Sequence, residues 1–440
     1  MKIERTKLLA VLSEALDSVE KDVLGVTSYH AKRVAWLCLR MATALGWSED
    51  EVSELVISAL LHDSALNEYR DDYEDGILKV GISGRNHCAA GEDNLAMIPG
   101  ILVSPGFILY HHERPDRLGP FGKSEAETPM GAQLIHIADQ TDRAIPLGNI
   151  VYAQLSGIRE YIEAKKGTIF GEQVCQIFLS VLSEDMVQAL SDDEMEQWIP
   201  DIPNRFCDTD IRSLACLFAR IIDYKSPFTK DHSVGLAEKA EAMARYYNWG
   251  EEAEEQLYFA GALHDIGKLL VSLDVLEKPG KLDWEEYQHI QTHAYETWRL
   301  LSKIDGLGKI TEWASFHHEK LNGKGYPFGK TAESLDEKAR LLGCLDIYQA
   351  LTEDRPYKAG MNHGRAMSIL QELAEKGELD QQITLDIDRV FHRDETEQKD
   401  IHTALFQCPV CGYIYEGDML PQEYLCPVCG QPETAFLRIK

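Results

Sequence analysis

The histidine and aspartate residues of this 440-residue chain recur in one order in two parts of the sequence. Two His-Asp pairs each follow another histidine by 32 residues, and two His-His-Glu triplets each follow a histidine by 24 residues. An aspartate comes 27 residues after the first triplet's second histidine and 28 residues after the second's. The first set is His30, His62, Asp63, His87, His111, His112 and Asp139, and the second set is His232, His264, Asp265, His293, His317, His318 and Asp346. This repetition predicts two copies of one domain.

Each set has the composition of a site for two divalent metal ions. Imidazole nitrogens suit iron, manganese, zinc or nickel, and one carboxylate can bridge two ions through its two oxygens. Two divalent ions and two aspartates leave about two positive charges, which would attract a phosphate and assist the attack of water on phosphorus. Because buried polar groups need partners, seven converging ones are better explained by a shared metal than by core packing.

Four motifs accompany the second set, in the order HDIGK, KPGKLDWEEYQHIQTHAYET, HHEKLNGKGYP and DIYQALTEDRPYK. This part of the chain, residues 220 to 370, resembles the HD-GYP family of cyclic di-GMP phosphodiesterases, a branch of the HD hydrolase superfamily. The resemblance implies hydrolysis of cyclic di-GMP to linear pGpG, or onward to GMP.

The resemblance also implies a role for each site residue. One metal would be held by His232, His264, Asp265 and Asp346, and Asp265 would bridge to a second metal held by His293, His317 and His318. Lys268 would act with Asp265 as catalytic residues near the scissile phosphate. The substrate would be contacted by Tyr326, Arg355 and Lys358, with Gly323 and Gly325 in the same loop.

The second copy departs from the family pattern at three positions. Asn322 and Gln349 stand where the family usually has aspartate, which puts the nucleotide in doubt but leaves metal binding intact. Some members hold a third metal with a glutamate one helical turn before the first histidine. Because Phe228 stands at that position, two metals are expected.

The first copy keeps the metal-type residues but lacks the features that resemble a phosphodiesterase. Leu66 replaces the lysine of HDIGK, the loop HHERPDRLGPFG has no tyrosine of the GYP type, and no RPYK follows Asp139. We therefore expect a dinuclear metal site here without cyclic di-GMP hydrolysis. It could be a regulatory metal site, an enzyme acting on another phosphate, or a structural remnant.

Four cysteines near the end of the chain have the spacing of a metal site. Cys408, Cys411, Cys426 and Cys429 form two Cys-x-x-Cys pairs separated by 14 residues, and four thiolates of this kind bind iron or zinc tetrahedrally. The text CPVCGYIYEGD resembles the rubredoxin-like domain that ends rubrerythrins, which implies one iron able to pass single electrons. A structural zinc ribbon has the same ligands.

The hydrophobic periodicity before residue 405 is helical, so the fold class expected is all-α: two tandem HD-type domains followed by a small rubredoxin-like module. The acidic, proline-containing stretch 191–206 is the best boundary between the helical domains. The expected domains are 1–195, a degenerate HD domain with its ligands retained, 206–400, an HD-GYP domain, and 404–440, the four-cysteine module.

The composition of the chain limits the classes of partner that it is expected to bind. The net charge of −29 argues against polymeric nucleic acid and anionic membrane as partners, and no apolar run approaches a membrane helix. The charged N-terminus lacks the core of a signal peptide, and the unpaired cysteines suit a reducing compartment, so a cytoplasmic location is expected.

These features together predict a dinuclear metal-dependent cyclic-dinucleotide phosphodiesterase, with iron, manganese, zinc or nickel at the second set. The four-cysteine module suggests redox or oxygen regulation and an electron-transfer partner. Two alternatives stay open: an HD-fold diiron oxygenase fed by the rubredoxin-like module, and a non-catalytic cyclic-dinucleotide receptor.

Overall fold

The computed structural model describes residues 5–74, 77–78, 84–99, 104–202, 208–225, 232–278, 280–354, 359–392, 404–407, 414–417 and 437–438. The first half of the chain is built from helices, with one two-residue hairpin between α3 and α4. Its elements are α1 (Arg5–Leu24), α2 (His30–Ala44), α3 (Glu49–Leu60), β1 (Tyr73–Glu74), β2 (Ile77–Leu78), α4 (Arg85–Ala96), α5 (Met130–Ala144), α6 (Leu155–Lys165), α7 (Glu172–Val181), α8 (Glu184–Ala189) and α9 (Asp192–Gln197).

The second half is also helical. Its helices are α10 (Asp208–Tyr224), α11 (His232–Tyr246), α12 (Glu251–Leu263), α13 (Leu273–Leu276), α14 (Trp284–Leu301), α15 (Gly308–Ser315), α16 (Glu337–Thr352), α17 (His363–Glu375) and α18 (Gln381–Phe391). A 3₁₀ segment follows the His-Asp pair in each half, at Leu66–Asp72 and at Ile266–Leu270. The all-α architecture expected for this part of the chain is confirmed.

Local sequence signals explain where several helices begin. Ser48 caps α3 and exchanges hydrogen bonds with Glu51, and Asp283 and Glu286 form the same capping box at α14. The Asp336 carboxylate accepts from a backbone N–H in the first turn of α16. These caps set the start of the helices that carry or precede the site residues.

The two halves pack together. The Glu14 carboxylate on α1 lies 2.7 Å from Lys303 Nζ, and the Asp22 carboxylate lies 2.8 Å from Lys225 Nζ. Residues 1–390 accordingly form one compact unit and residues 391–440 another. The boundaries expected from the sequence between the two helical domains stay predictions.

The C-terminal unit contains a small antiparallel sheet. Its strands are β3 (Ala404–Gln407), β4 (Ile414–Gly417) and β5 (Leu437–Arg438), in the order β4-β3-β5. Phe406 on the central strand β3 pairs with Tyr415 on β4 and with Arg438 on β5. Among the described residues, none of the helices combines the length and apolar character needed to span a membrane.

Candidate active site and metal centres

The second set comes together from five segments of the fold. His232 begins α11, His264 and Asp265 directly follow α12, His293 lies in α14, His317 and His318 follow α15, and Asp346 lies in α16. Except for His318, whose side chain is 27% exposed, all of these residues are buried. The structure therefore places the seven predicted residues around one interior centre.

Asp265 lies in the middle of this cluster. Its Oδ2 is 3.0 Å from His264 Nε2, and its Oδ1 is 3.4 Å from His293 Nε2 and 3.7 Å from His317 Nε2. Each carboxylate oxygen thus faces a different imidazole, which is the arrangement that a bridging carboxylate requires.

Asp346 joins the remaining histidines. Its Oδ1 is 3.2 Å from His232 Nε2 and 3.8 Å from His264 Nε2, and its Oδ2 is 3.7 Å from His318 Nδ1. Donor atoms of His232, His264 and Asp346 lie within 4.8 Å of one another. His293, His317 and His318 form a second group within the same distance.

Backbone carbonyls fix the orientation of three of the imidazoles. The Nδ1 atoms of His264, His293 and His317 lie 2.8, 2.6 and 2.6 Å from the carbonyl oxygen three residues earlier. A carbonyl can only accept, so each Nδ1 carries the proton and each Nε2 presents its lone pair to the centre. This tautomer is the one that binds metal.

The electrostatics of the cluster differ between its imidazoles. Burial alone would lower the pKa of His232, but hydrogen bonds to two carboxylates raise it to about 10, so this ring must release a proton when it binds metal. Burial lowers the pKa of His293 to about 3, because a charged ring would be desolvated. Burial alone would raise the pKa of Asp265, but the neighbouring His264 and Lys268 outweigh it and hold the pKa well below its ordinary value. His293 and Asp265 are therefore in the protonation state that a metal ligand needs.

The donor set fits divalent metal ions. His264 Nε2 and Asp265 Oδ1 are buried and have no hydrogen-bond partner, although buried polar atoms are almost always paired. Divalent cations bound within the cluster would satisfy both atoms. Imidazole and carboxylate together suit iron, manganese, zinc or nickel.

Lys268 lies beside the cluster on the 3₁₀ segment that follows α12. Its Nζ contacts Asp265 Oδ2, so an ammonium group stands at the edge of the site. The preceding Gly267 packs against α14, where a Cβ would lie 2.0 Å from the carbonyl oxygen of His293. Only glycine allows this close approach.

The loop that carries the GYP motif covers the cluster. The Tyr326 ring lies 4.7 Å from the ring of His318, and its backbone N–H donates to the His318 carbonyl. Gly325 has no room for a side chain, since a Cβ would lie 2.4 Å from the Lys320 nitrogen, and Gly323 has a φ of 74°. Arg355 and Lys358 lie outside the described residues.

Glu319 organises the same loop, a role that the motif alone did not assign. Its two carboxylate oxygens accept from the N–H groups of Phe328 and Lys330, at 2.7 and 2.8 Å. In the first half Glu113 does the same for Phe121 and Lys123. The third residue of the His-His-Glu triplet therefore closes the loop in both halves.

A second position not found from the sequence is Glu353, one residue beyond α16. Its carboxylate lies 2.7 Å from His232 Nδ1, so it orients the first histidine of the second set. Gln349 donates to the same carboxylate at 3.2 Å, and Lys239 donates to the Gln349 amide oxygen at 2.6 Å. This chain of contacts occupies the place where the family pattern has an aspartate.

The first set converges in the same way. Asp63 Oδ1 lies 3.5 Å from His111 Nε2 and 3.8 Å from His87 Nε2, and His30 Nε2 lies 3.3 Å from Asp139 Oδ1. The Nδ1 atoms of His62 and His111 face backbone carbonyls, as in the second set. His112 belongs to a group with His87 and His111 whose donor atoms lie within 4.8 Å.

The first half orients His30 with an aspartate. Asp142 Oδ2 lies 2.6 Å from His30 Nδ1, and the carboxylate is also bound by the buried Arg33. Asp142 is the third residue after Asp139, the position that Gln349 occupies relative to Asp346. The two halves thus orient the equivalent histidine with carboxylates from different positions.

The four cysteines of the C-terminal module, Cys408, Cys411, Cys426 and Cys429, lie outside the described residues. The neighbouring strands β3 and β4 pair as a hairpin from Ala404↔Gly417 to Gln407↔Ile414. The first Cys-x-x-Cys pair of the sequence falls in the connection between these two strands.

Two family models match the chain. One, described as HD domain, matches residues 216–383, and one, described as the rubredoxin-like domain of rubrerythrin, matches residues 406–436. With the helical fold and the histidine–aspartate cluster, the first match defines a metal-dependent hydrolase of the HD type. The second confirms the rubredoxin-like module, whose ligands imply iron or zinc.

Comparison with similar proteins identifies the family more specifically. The 3′3′-cGAMP-specific phosphodiesterase 1 of Vibrio cholerae is 31% identical over 385 residues, which cover 84% of this chain and 88% of that protein. A cyclic di-GMP phosphodiesterase of Pseudomonas aeruginosa is 35% identical over 148 residues, 33% of this chain and 35% of that protein. The chain belongs to the HD-GYP family of metal-dependent cyclic-dinucleotide phosphodiesterases.

A solved structure shares the fold. The crystal structure of a cyclic GMP-AMP-specific phosphodiesterase of V. cholerae superimposes with a TM-score of 0.62 over 89% of this chain and 98% of that chain, at 21% identity. The match covers nearly all of this chain, so both helical halves share the fold of that structure.

Proposed function

We propose that the second set binds two divalent metals and hydrolyses cyclic di-GMP to linear pGpG. The observation that carries the proposal is the position of Asp265, whose two oxygens lie within 3.7 Å of three different imidazoles. Metals held there supply Lewis-acid activation of water and neutralise charge on the phosphate. The ligands are His232, His264, Asp265 and Asp346 on one side and His293, His317 and His318 on the other.

The remaining residues of the site position and stabilise the substrate. Lys268 offers an ammonium group beside the bridging carboxylate, where it stabilises the negative charge that develops on phosphorus oxygens. Tyr326 presents an aromatic ring next to His318 at the mouth of the site, where a base can stack. Arg355 and Lys358 follow α16 in sequence and are proposed to bind the guanine nucleotide.

A second substrate candidate is 3′3′-cGAMP. The relative that is similar over nearly the whole chain is named for this dinucleotide, whereas the cyclic di-GMP phosphodiesterase of P. aeruginosa matches a third of the chain. Both dinucleotides have the same phosphodiester groups, so one metal site serves either.

The test compares both dinucleotides with the metal-reconstituted full chain. Wild type should convert at least one of them to its linear dinucleotide, and Asp265→Asn should lose that activity together with bound metal. Glu375→Gln, an exposed substitution on α17, is the control and should keep both. Binding of either dinucleotide without product by metal-loaded wild type would instead support a receptor.

We further propose that the first set binds metal but does not hydrolyse cyclic dinucleotides. The supporting observations are the convergence of its seven residues and the presence of Leu66 in place of Lys268. Metal analysis of Asp265→Asn protein with and without Asp63→Asn tests this: metal that the second substitution releases belongs to the first set. Loss of all metal outside the C-terminal module by Asp265→Asn alone would contradict the proposal.

The C-terminal module is proposed to couple hydrolysis to redox conditions through an electron-transfer partner. Its support is the fusion of a rubredoxin-like module to sites whose ligands suit iron. Turnover should then differ between oxidised and reduced protein, and the difference should vanish when Cys408 and Cys411 are replaced by serine. Identical turnover in all four preparations would remove this part of the proposal, and oxygen uptake would favour an oxygenase.

A further inference from the structure

The first set has a cysteine among its histidines. Cys88 lies in α4 with 0% of its surface exposed, and its Sγ is 3.5 Å from His87 Nε2. The donor atoms of His87, Cys88, His111 and His112 all lie within 4.8 Å of one another. A buried cysteine normally packs against apolar groups, but this one faces three imidazoles.

Unpaired atoms around the cluster point to a ligand that binds there. His111 Nε2 is buried without a hydrogen-bond partner, although its Nδ1 is 2.5 Å from the carbonyl oxygen of Ile108. Glu20 Oε2 on α1 is also buried without a partner and lies 3.7 Å from His30 Nε2. Glu20, His30 and His62 form another group of donors within 4.8 Å.

Among the described residues of the second half, neither of these two donors has a counterpart. The residue after His293 is Ala294, which is buried and has no donor atom. Glu20 comes three residues after Asp17, whose carboxylate accepts from the N–H of Ala31. In the second half Asp223 accepts from the equivalent N–H of Ser233, and the residue three positions later is Ser226, which has no carboxylate.

The extra donors change the charge of the first set. Three carboxylates and one thiolate, from Glu20, Asp63, Asp139 and Cys88, match the charge of two divalent ions. In the second set Asp265, Asp346 and the orienting Glu353 offset only part of the charge of two divalent ions, and Lys268 adds a further positive charge. Two metals in the first set would therefore leave no excess positive charge to attract a phosphodiester.

We propose that the first set is a mixed imidazole–carboxylate–thiolate metal site, with Cys88 and Glu20 as ligands, that takes zinc(II) or iron(II) as a resident ion. Imidazole and thiolate together select these softer ions over magnesium or calcium. The inference rests on the proposed binding of metal by the first set and not on hydrolysis by the second. The two halves would then differ in the charge of their metal sites. The ligands of the first set neutralise its metals, whereas the second set keeps a net positive charge that attracts a phosphate.

Cobalt(II) titration of the metal-depleted full chain tests the ligand assignment, because a thiolate bound to cobalt gives a charge-transfer band in the near ultraviolet. The spectrum of Cys88→Ala is subtracted from that of wild type, so that the band of the C-terminal cysteines cancels. Cys38→Ala is the matched control, since Cys38 is equally buried in the same half and packs in α2. Cobalt equivalents are counted in parallel by elemental analysis.

The expected difference spectrum contains a thiolate band, and Cys88→Ala binds cobalt at the first set at least about 10-fold more weakly. Glu20→Gln weakens cobalt binding and keeps the band. Cys88→Ser, which preserves volume, replaces the alanine variant if circular dichroism shows that the latter is unfolded.

Two results overturn the inference in different ways. A featureless difference spectrum with unchanged cobalt affinity removes the thiolate ligand, provided that His111→Ala still loses cobalt. If His111→Ala also keeps every cobalt equivalent, the proposed metal binding by the first set fails as well.

Discussion

Replacing Glu353 by glutamine should weaken metal binding at the second set, although Glu353 is not itself a proposed ligand. The carboxylate lies 2.7 Å from His232 Nδ1, and its side chain is 6% exposed. Glutamine can still accept the hydrogen bond but carries no charge, so it stabilises the Nδ1-protonated tautomer less. Substitutions of this kind cost about 10–100-fold in metal affinity or activity. Since each tenfold step is about 1.4 kcal/mol, the expected loss is about 1.4–2.8 kcal/mol.

The first half suggests how this loss can be repaired. There Asp142, three residues after the last ligand, orients His30 directly at 2.6 Å. Adding Gln349→Asp to Glu353→Gln places an aspartate at the equivalent position and should restore most of the affinity. Rescue distinguishes an orienting carboxylate from a residue needed only for folding.

The assay is a competitive metal titration of the full chain with a fluorescent chelator, together with turnover at saturating metal. Glu375→Gln on α17 is the control for the loss of an exposed glutamate charge. Wild-type metal affinity in Glu353→Gln, or the absence of any recovery in the double variant, would refute the role given to Glu353.

Three further predictions follow from the site. Lys268→Met should lower kcat by about 100-fold or more with little change in bound metal, measured by turnover and elemental analysis; equal loss of metal would mean that the ammonium stabilises the ligands instead. Gly267→Ala should destabilise the chain by about 3 kcal/mol, because a Cβ would lie 2.0 Å from a backbone oxygen; an unchanged melting temperature would contradict this. Removing metal should lower stability by about 2.7 kcal/mol relative to metal at about 100 times its Kd, and re-addition should restore it.

The sequence alone identified the two candidate ligand sets and predicted the tandem arrangement. Three features can be recognised without coordinates: an aspartate next to a histidine, a histidine pair before a loop, and spacings that repeat within one residue. The four-cysteine module can also be recognised from the sequence, because two Cys-x-x-Cys pairs restrict the bound metal to a few elements.

Only the tertiary structure decided what surrounds the ligands. Glu353 follows Asp346 by seven residues, two helical turns, so helical spacing permitted its role, but many residues share that spacing and only packing against α11 selects one. Glu20 and Cys88 reach the first set from α1 and α4, helices far apart in sequence. Contacts of this kind depend on how separate helices pack, and a one-dimensional pattern does not contain that information.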